Sequence, residues 1–318
     1  MDHRTSLRSL ANLNSYASTA EALQAAGLDW NVELERLTSA GGHNAPARAV
    51  VRSDTRKPLG VVGLRYAPCD NVTATRWLDQ YIPHGLRITG AEAFKGGERC
   101  VMYGLLGDQP AEVRKGDFVA LQLVVSWSHD GSSSTTAGLR ALRLVCTNGL
   151  VLASEAGRMF SLRHTRHADP TTDEIQFQVR QAIGRFGESM EAFRALADRS
   201  VTTQQVRDFA KQVMAFEPDA TTGALSTRAD NVLDNIVARH RSAQAVLIRS
   251  AEESMDAGRG QQLNGGGTWW NAYNAITEYL THDRGRTVES RQESLLFGSS
   301  ARLNERALAL AMNMSGVA

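Results

Sequence analysis

Five arginines crowd one stretch of this chain: Arg140, Arg143, Arg158, Arg163 and Arg166 stand between Thr136 and Ala168 against a single acid, Glu155. A guanidinium offers a planar fork of donors that suits phosphate oxygens, so a group of arginines beside a β-sheet can neutralise a polyanion. Arginines facing solvent at alternate strand positions give the same pattern, and spacing alone leaves both readings open. Lys95, in the turn Lys95-Gly96-Gly97, supplies one more cation. Arg140, Arg143, Arg158, Arg163 and Lys95 are therefore the candidate phosphate contacts.

The other reactive side chains lack the spacing of a familiar centre. His164 and His167 lie three residues apart with Cys146 upstream, which falls short of the local ligand spacing of a zinc or iron site. Cys146 paired in space with His129 or His164 would make a nucleophile, yet Leu144, Val145 and Leu150 around it suit a small buried hydrophobe at a strand end. There is no His-Glu-x-x-His pattern, no glycine-rich nucleotide fingerprint and no Gly-Lys-Ser/Thr phosphate cradle. The expectation is no catalytic residue, no cofactor and no metal. Asp130, Asn148, His164, Asn274, Glu278 and His282 remain as polar candidates. The densest aromatic run, Trp269 to Tyr279, reads as a helix with Trp269, Tyr273 and Ile276 in the core. Asn271, Asn274, Glu278 and His282 would then form a polar ridge, and its aromatics can stack on bases only where they face solvent.

Strands must hold the arginines in place. Phe118 to His129 and Thr135 to Cys146 read as a hairpin closed by Asp130-Gly131-Ser132, because an Asp-Gly turn takes the positive φ that a tight reversal demands. Earlier come two short strands, Ala47 to Arg52 and Leu59 to Leu64, and a second hairpin of Leu86 to Phe94 with Arg99 to Leu106. Between them Asn71 looks like the cap of a helix that runs through Trp77, Leu78 and Tyr81 to Pro83 and covers the sheet. A short helix capped by Thr19 or Ser18 precedes these and stops at Gly27, after which Trp30 packs on the main domain.

Beyond Ala168 the apolar period becomes helical: Ile175 to Phe193, then Val206 to Phe216 behind a Thr202 or Thr203 cap, then Val232 to about Ser254. A glycine-rich loop over Asp256 to Thr268 leads into the aromatic helix capped by Thr268, and two helical pieces, Arg286 to Phe297 and Ala301 to Met312, follow. The predicted class is α+β, an antiparallel β-sheet domain with a covering helix followed by a helical C-terminal region. The expected divisions are an N-terminal segment at 1–45, the α+β core at 46–168, a helical and oligomer-forming region at 169–255, and the glycine-rich loop with the last helices at 256–318.

Composition bounds the function. Thirty-five Lys and Arg balance 34 Asp and Glu, so the whole-molecule field gives no strong pull toward nucleic acid and only the local excess does. Three separated cysteines suit a reducing compartment, and no window has the length and apolarity of a signal peptide core or membrane span. A soluble cytoplasmic protein is expected.

The segments AAGLDWNVE, YAPCDNVTATRWLD, HDGS with LRLVCTNGL, WNAYNAITEYLTHDRG and RQESLLFG, in that order, resemble the phage- and plasmid-associated proteins grouped as domain of unknown function 932. The resemblance marks Tyr66, Asn71, Asp130, Gly131, Arg143, Cys146, Asn148, Trp270, Asn274, Glu278, Tyr279 and His282 as characteristic, with no catalytic role attached. It implies replication, recombination or defence-related DNA handling, and some members are distantly similar to Rad52-like annealing proteins. The reading that follows is a homo-oligomer that binds or anneals single-stranded DNA. An enzyme acting on nucleic acid or a nucleotide through Asp130, His129, Cys146 and His164, and a structural or regulatory protein-binding module, stand as alternatives.

Overall fold

The computed structural model describes residues 15–115, 117–144, 149–150, 158–162, 172–253 and 267–317. They fall into two compact units, the first within 1–111, 119–145 and 154–186 and the second within 112–118, 146–153 and 187–318. The architecture is α+β, with antiparallel sheets and short helices first and helices alone toward the C-terminus.

In the first unit, α1 (Thr19–Ala25) begins where the Ser18 hydroxyl accepts the Glu21 amide, and it ends at Gly27, whose φ of +67° carries no Cβ penalty. Thr19, Ala22 and Leu23 are its buried residues, and Thr19 donates through both its amide and hydroxyl to Asp79. A three-stranded sheet in the order β1-β2-β3 follows: β1 (Val32–Thr38), β2 (Asn44–Arg52) and β3 (Pro58–Gly63). The expected helix from Asn71 to Pro83 is shorter and tighter than its pattern suggests. Only α2 (Asn71–Thr75) is α-helical, and a 3-10 helix (Arg76–His84) carries the chain on to Gly85 at φ +92°. Asp70 takes the capping position, and its carboxylate accepts the Val32 amide; this frees Asn71 to turn inward.

The second sheet contains β4 (Leu86–Phe94), β5 (Arg99–Arg114), β6 (Asp117–Ser128), β7 (Thr135–Arg143) and β8 (Gly149–Leu150) in that spatial order, with β9 (Arg158–Leu162) also paired to β7. The β6–β7 register opposes Gln122 to Arg140 and Val119 to Arg143. Strand alternation then gives two unlike faces. One is apolar, with Val119, Leu121, Leu123, Val125, Trp127, Leu139 and Ala141 all buried. The other carries Gln122, Ser126, Thr136 and Arg140 among smaller apolar groups.

The second unit is helical. It takes the C-terminal part of α3 (Thr172–Asp198), then α4 (Thr203–Met214), α5 (Thr227–Glu253), α6 (Trp269–His282), α7 (Val288–Phe297) and α8 (Ser299–Ser315). Thr202 and Gln205 form a reciprocal capping box on α4, and Thr268 caps α6 by accepting the Asn271 amide, so both expected caps are present. Phe193 lies 4.9 Å from the Trp270 ring, Phe209 meets Trp269 edge-on at 5.6 Å, and the Tyr273 hydroxyl donates to Asn304. Among the described residues no helix is long and apolar enough to cross a membrane.

Candidate functional site

The polar face of the six-stranded sheet gathers charged and aromatic side chains from neighbouring strands. Arg140 of β7 donates through Nε to the Gln122 amide oxygen of β6 at 2.6 Å, and its guanidinium lies 5.5 Å from the Tyr103 ring centroid on β5. The Tyr103 hydroxyl donates in turn to Glu92 on β4. Burial lowers the Arg140 pKa, with Tyr103 and Glu92 opposing the shift, and an arginine so placed still carries its charge at neutral pH. Burial and the nearby Glu92 carboxylate both push the Tyr103 phenol well above its ordinary value, so it stays a neutral donor. The result is a half-buried cation hydrogen-bonded to an amide and resting on an aromatic ring.

The strand register separates the predicted arginines. Arg140 shares its face with Gln122, whereas Arg143, three residues on, is paired with Val119 and lies at a register position of the apolar face. Arg158 opposes Gly138 in the β7–β9 ladder, and Gly138 belongs to the Arg140 face. Arg140 and Arg143 therefore do not meet in one groove of a single chain. Arg163 and Arg166 lie outside the described residues, as do Cys146, Asn148, His164 and His167.

Lys95 sits where three hairpin tips come together. Its carbonyl accepts the Lys57 ammonium from the β2–β3 loop at 3.0 Å, Arg52 donates to the Gly96 carbonyl, and Arg99 donates to the Ser132 hydroxyl in the β6–β7 turn. Arg52 is also paired with Asp54 and lies 4.2 Å from the Trp30 ring centroid.

Of the groups proposed for catalysis, His129 and Asp130 fall among the described residues, and both are held in structural contacts. Trp127 Nε1 and His129 Nε2 each lie 2.8 Å from Asn71 Oδ1, while Asn71 Nδ2 donates to the Leu28 and Trp30 carbonyls. With both amide hydrogens committed, Oδ1 acts only as an acceptor, which fixes the His129 proton on Nε2. His129 is 0% exposed, so it is not a base open to substrate. Asp130 makes a turn contact, its carboxylate accepting the Ser132 amide at 2.8 Å. Partial burial would raise its pKa, and the hydrogen bonds of Ser132 and Ser128 outweigh that and leave it lowered. Cys100, fully buried, has its thiol pushed up to about 12 by burial and is no nucleophile.

The expected ridge on α6 is not a surface. Asn271 and Asn274 are 4% and 3% exposed, Trp270 is 1% exposed, and Trp270 Nε1 donates to Asp117. Glu278 is paired with Arg239, and only His282 of the four stands exposed, in the last turn. Bases cannot stack on the buried rings of Trp269, Trp270 and Tyr273. A cavity of about 240 Å³ between α4 and α5 is lined by Thr203, Gln204 and Arg207, but Arg207 already pairs with Asp230 and Asp234.

Tyr103, Glu92 and Gln122 were not among the sequence candidates. Gln122 offered a signal, as the one strongly polar residue in the run Phe118 to Val125, and only the strand register shows that it faces Arg140.

A family model described as Domain of unknown function (DUF932) matches residues 58–306, most of the chain, and the chain belongs to that family. No curated protein matches it.

Proposed function

We propose that this DUF932 protein binds single-stranded DNA, as a homo-oligomer in the cytoplasm, and so assists its annealing in the manner of Rad52-like proteins. The observation that carries the reading is the Arg140 guanidinium, which is hydrogen-bonded to the neutral Gln122 amide and, among the described residues, forms no ion pair in contact with a carboxylate. Such a cation can exchange an amide for a phosphate oxygen, because a charge-assisted bond to an anion is the stronger of the two. Tyr103 beside it offers a ring for a base or sugar, and we add Arg158, paired with Gly138 in the β7–β9 ladder, as a further phosphate contact. Lys57 and Lys95 at the hairpin tips supply further phosphate contacts.

Backbone contacts of this kind hold a strand without reading its sequence and leave base edges open for pairing. The near-balanced total charge means that affinity comes from this face and not from a general cationic field. Fluorescence anisotropy with a labelled oligonucleotide should show binding at about 50 mM salt that falls linearly on a log–log plot as salt rises, with single strands preferred over duplex. Absence of binding at low salt, or affinity independent of salt, would overturn the proposal.

A further inference from the structure

Arg87 of β4 stands opposite Leu105 of β5, and Leu105 belongs to a buried apolar patch with Ala120, Leu142 and Leu144. Its Nε and Nη2 are both shielded from solvent and have no hydrogen-bond partner among the described residues. These two atoms form the outer edge of the guanidinium, where two parallel N–H groups are spaced to meet two oxygens of one oxyanion.

Arg87 as a whole is half-buried, yet two shielded donors without a partner are costly, and an apolar side chain of similar volume would be tolerated better beside Leu105. We infer that Arg87 is the anchor of a phosphate-type oxyanion, whose oxygens meet Nε–H and Nη2–H together. The apolar patch next to the fork keeps water from screening the pair. A phosphate of this kind can come from a free phosphate or phosphate monoester, or from a polynucleotide backbone. The site is a single residue of β4 and stands whether or not the neighbouring Arg140 region takes DNA.

Thermal unfolding of the full chain in sodium chloride and in inorganic phosphate at matched ionic strength tests it. Ligand linkage predicts that saturating phosphate raises the midpoint of the wild type by about 3–5 °C. Arg87→Met should show no such rise and should melt no lower than the wild type in chloride, because it removes two shielded donors that have no hydrogen-bond partner among the described residues. Arg87→Lys, which keeps the charge and loses the fork, should show less than half the wild-type rise. Competition by an unphosphorylated oligonucleotide would identify the backbone as the source, and competition only by a 5′-phosphorylated one would identify a terminal phosphate. No phosphate-specific rise in the wild type, an equal rise in Arg87→Met, or a midpoint for Arg87→Met several degrees lower in chloride would each overturn the inference. Loss of labelled-strand binding with the phosphate rise intact would fault only the polynucleotide reading.

Discussion

Asn71→Leu is expected to bring the first unit close to unfolding. The side chain is 1% exposed and makes four hydrogen bonds, to the Leu28 and Trp30 carbonyls and from Trp127 and His129. Leucine keeps the branched shape, is somewhat larger, and leaves those four polar groups buried without this partner. Each such group costs about 1–3 kcal/mol, so a total of about 4–6 kcal/mol is expected, against a whole-domain stability of about 5–15 kcal/mol. Urea unfolding should show the loss as a much lower midpoint with little change in slope. Asn71→Asp should also be destabilising, since a carboxylate cannot donate to the two carbonyls. A loss below about 1 kcal/mol for Asn71→Leu would show that the network carries little of the fold.

Gly60→Ala should also be damaging, to a smaller extent and for a different reason. A Cβ at Gly60 would stand 2.5 Å from Asp130 Cα and 2.8 Å from its carbonyl oxygen, and backbone cannot rotate away as a flexible side chain can. Overpacking of this kind costs about 1–3 kcal/mol, and the upper end is expected here. The turn has little room to yield, because Gly131 holds a φ of +77° that other residues rarely adopt and the His129 amide donates to the Glu98 carbonyl. Displacing Asp130 disturbs His129 next to it, so Gly60→Ala and Asn71→Leu should combine non-additively in a double-mutant cycle. Simple additivity would place the two sites in independent parts of the unit.

The Asp-Gly hairpin, the Lys95 turn, the Ser18, Thr202 and Thr268 caps and the helical succession after Thr172 were legible because each rests on local chemistry: a positive φ, an orphan amide, a period of three to four residues. Strand β1 was not, because Glu33, Glu35 and Arg36 give it too few apolar positions, with Val32 its one fully buried residue. Asn71 read as a cap, since Asn before a helical pattern has that meaning locally. Its actual partners lie 41 to 58 residues away in sequence, and no local pattern encodes them. The opposite faces of Arg140 and Arg143 follow from their odd spacing on one strand, so that part was within reach of the period-two rule. The match of Arg140 to Gln122, and of Arg87 to an apolar patch, depends on register across strands and became visible only in three dimensions.

The polar sheet face is the centre of this account, and Arg140→Gln set beside Arg143→Gln tests it most directly. In a salt series with labelled single strands, Arg140→Gln should bind about tenfold more weakly, with a log–log slope smaller by about one, while circular dichroism shows a folded protein. Arg143→Gln, at a position of the apolar face, should keep the wild-type slope and change only thermal stability. Equal slopes for the wild type and Arg140→Gln, or a reduced slope confined to Arg143→Gln, would contradict the assignment of phosphate contacts to this face.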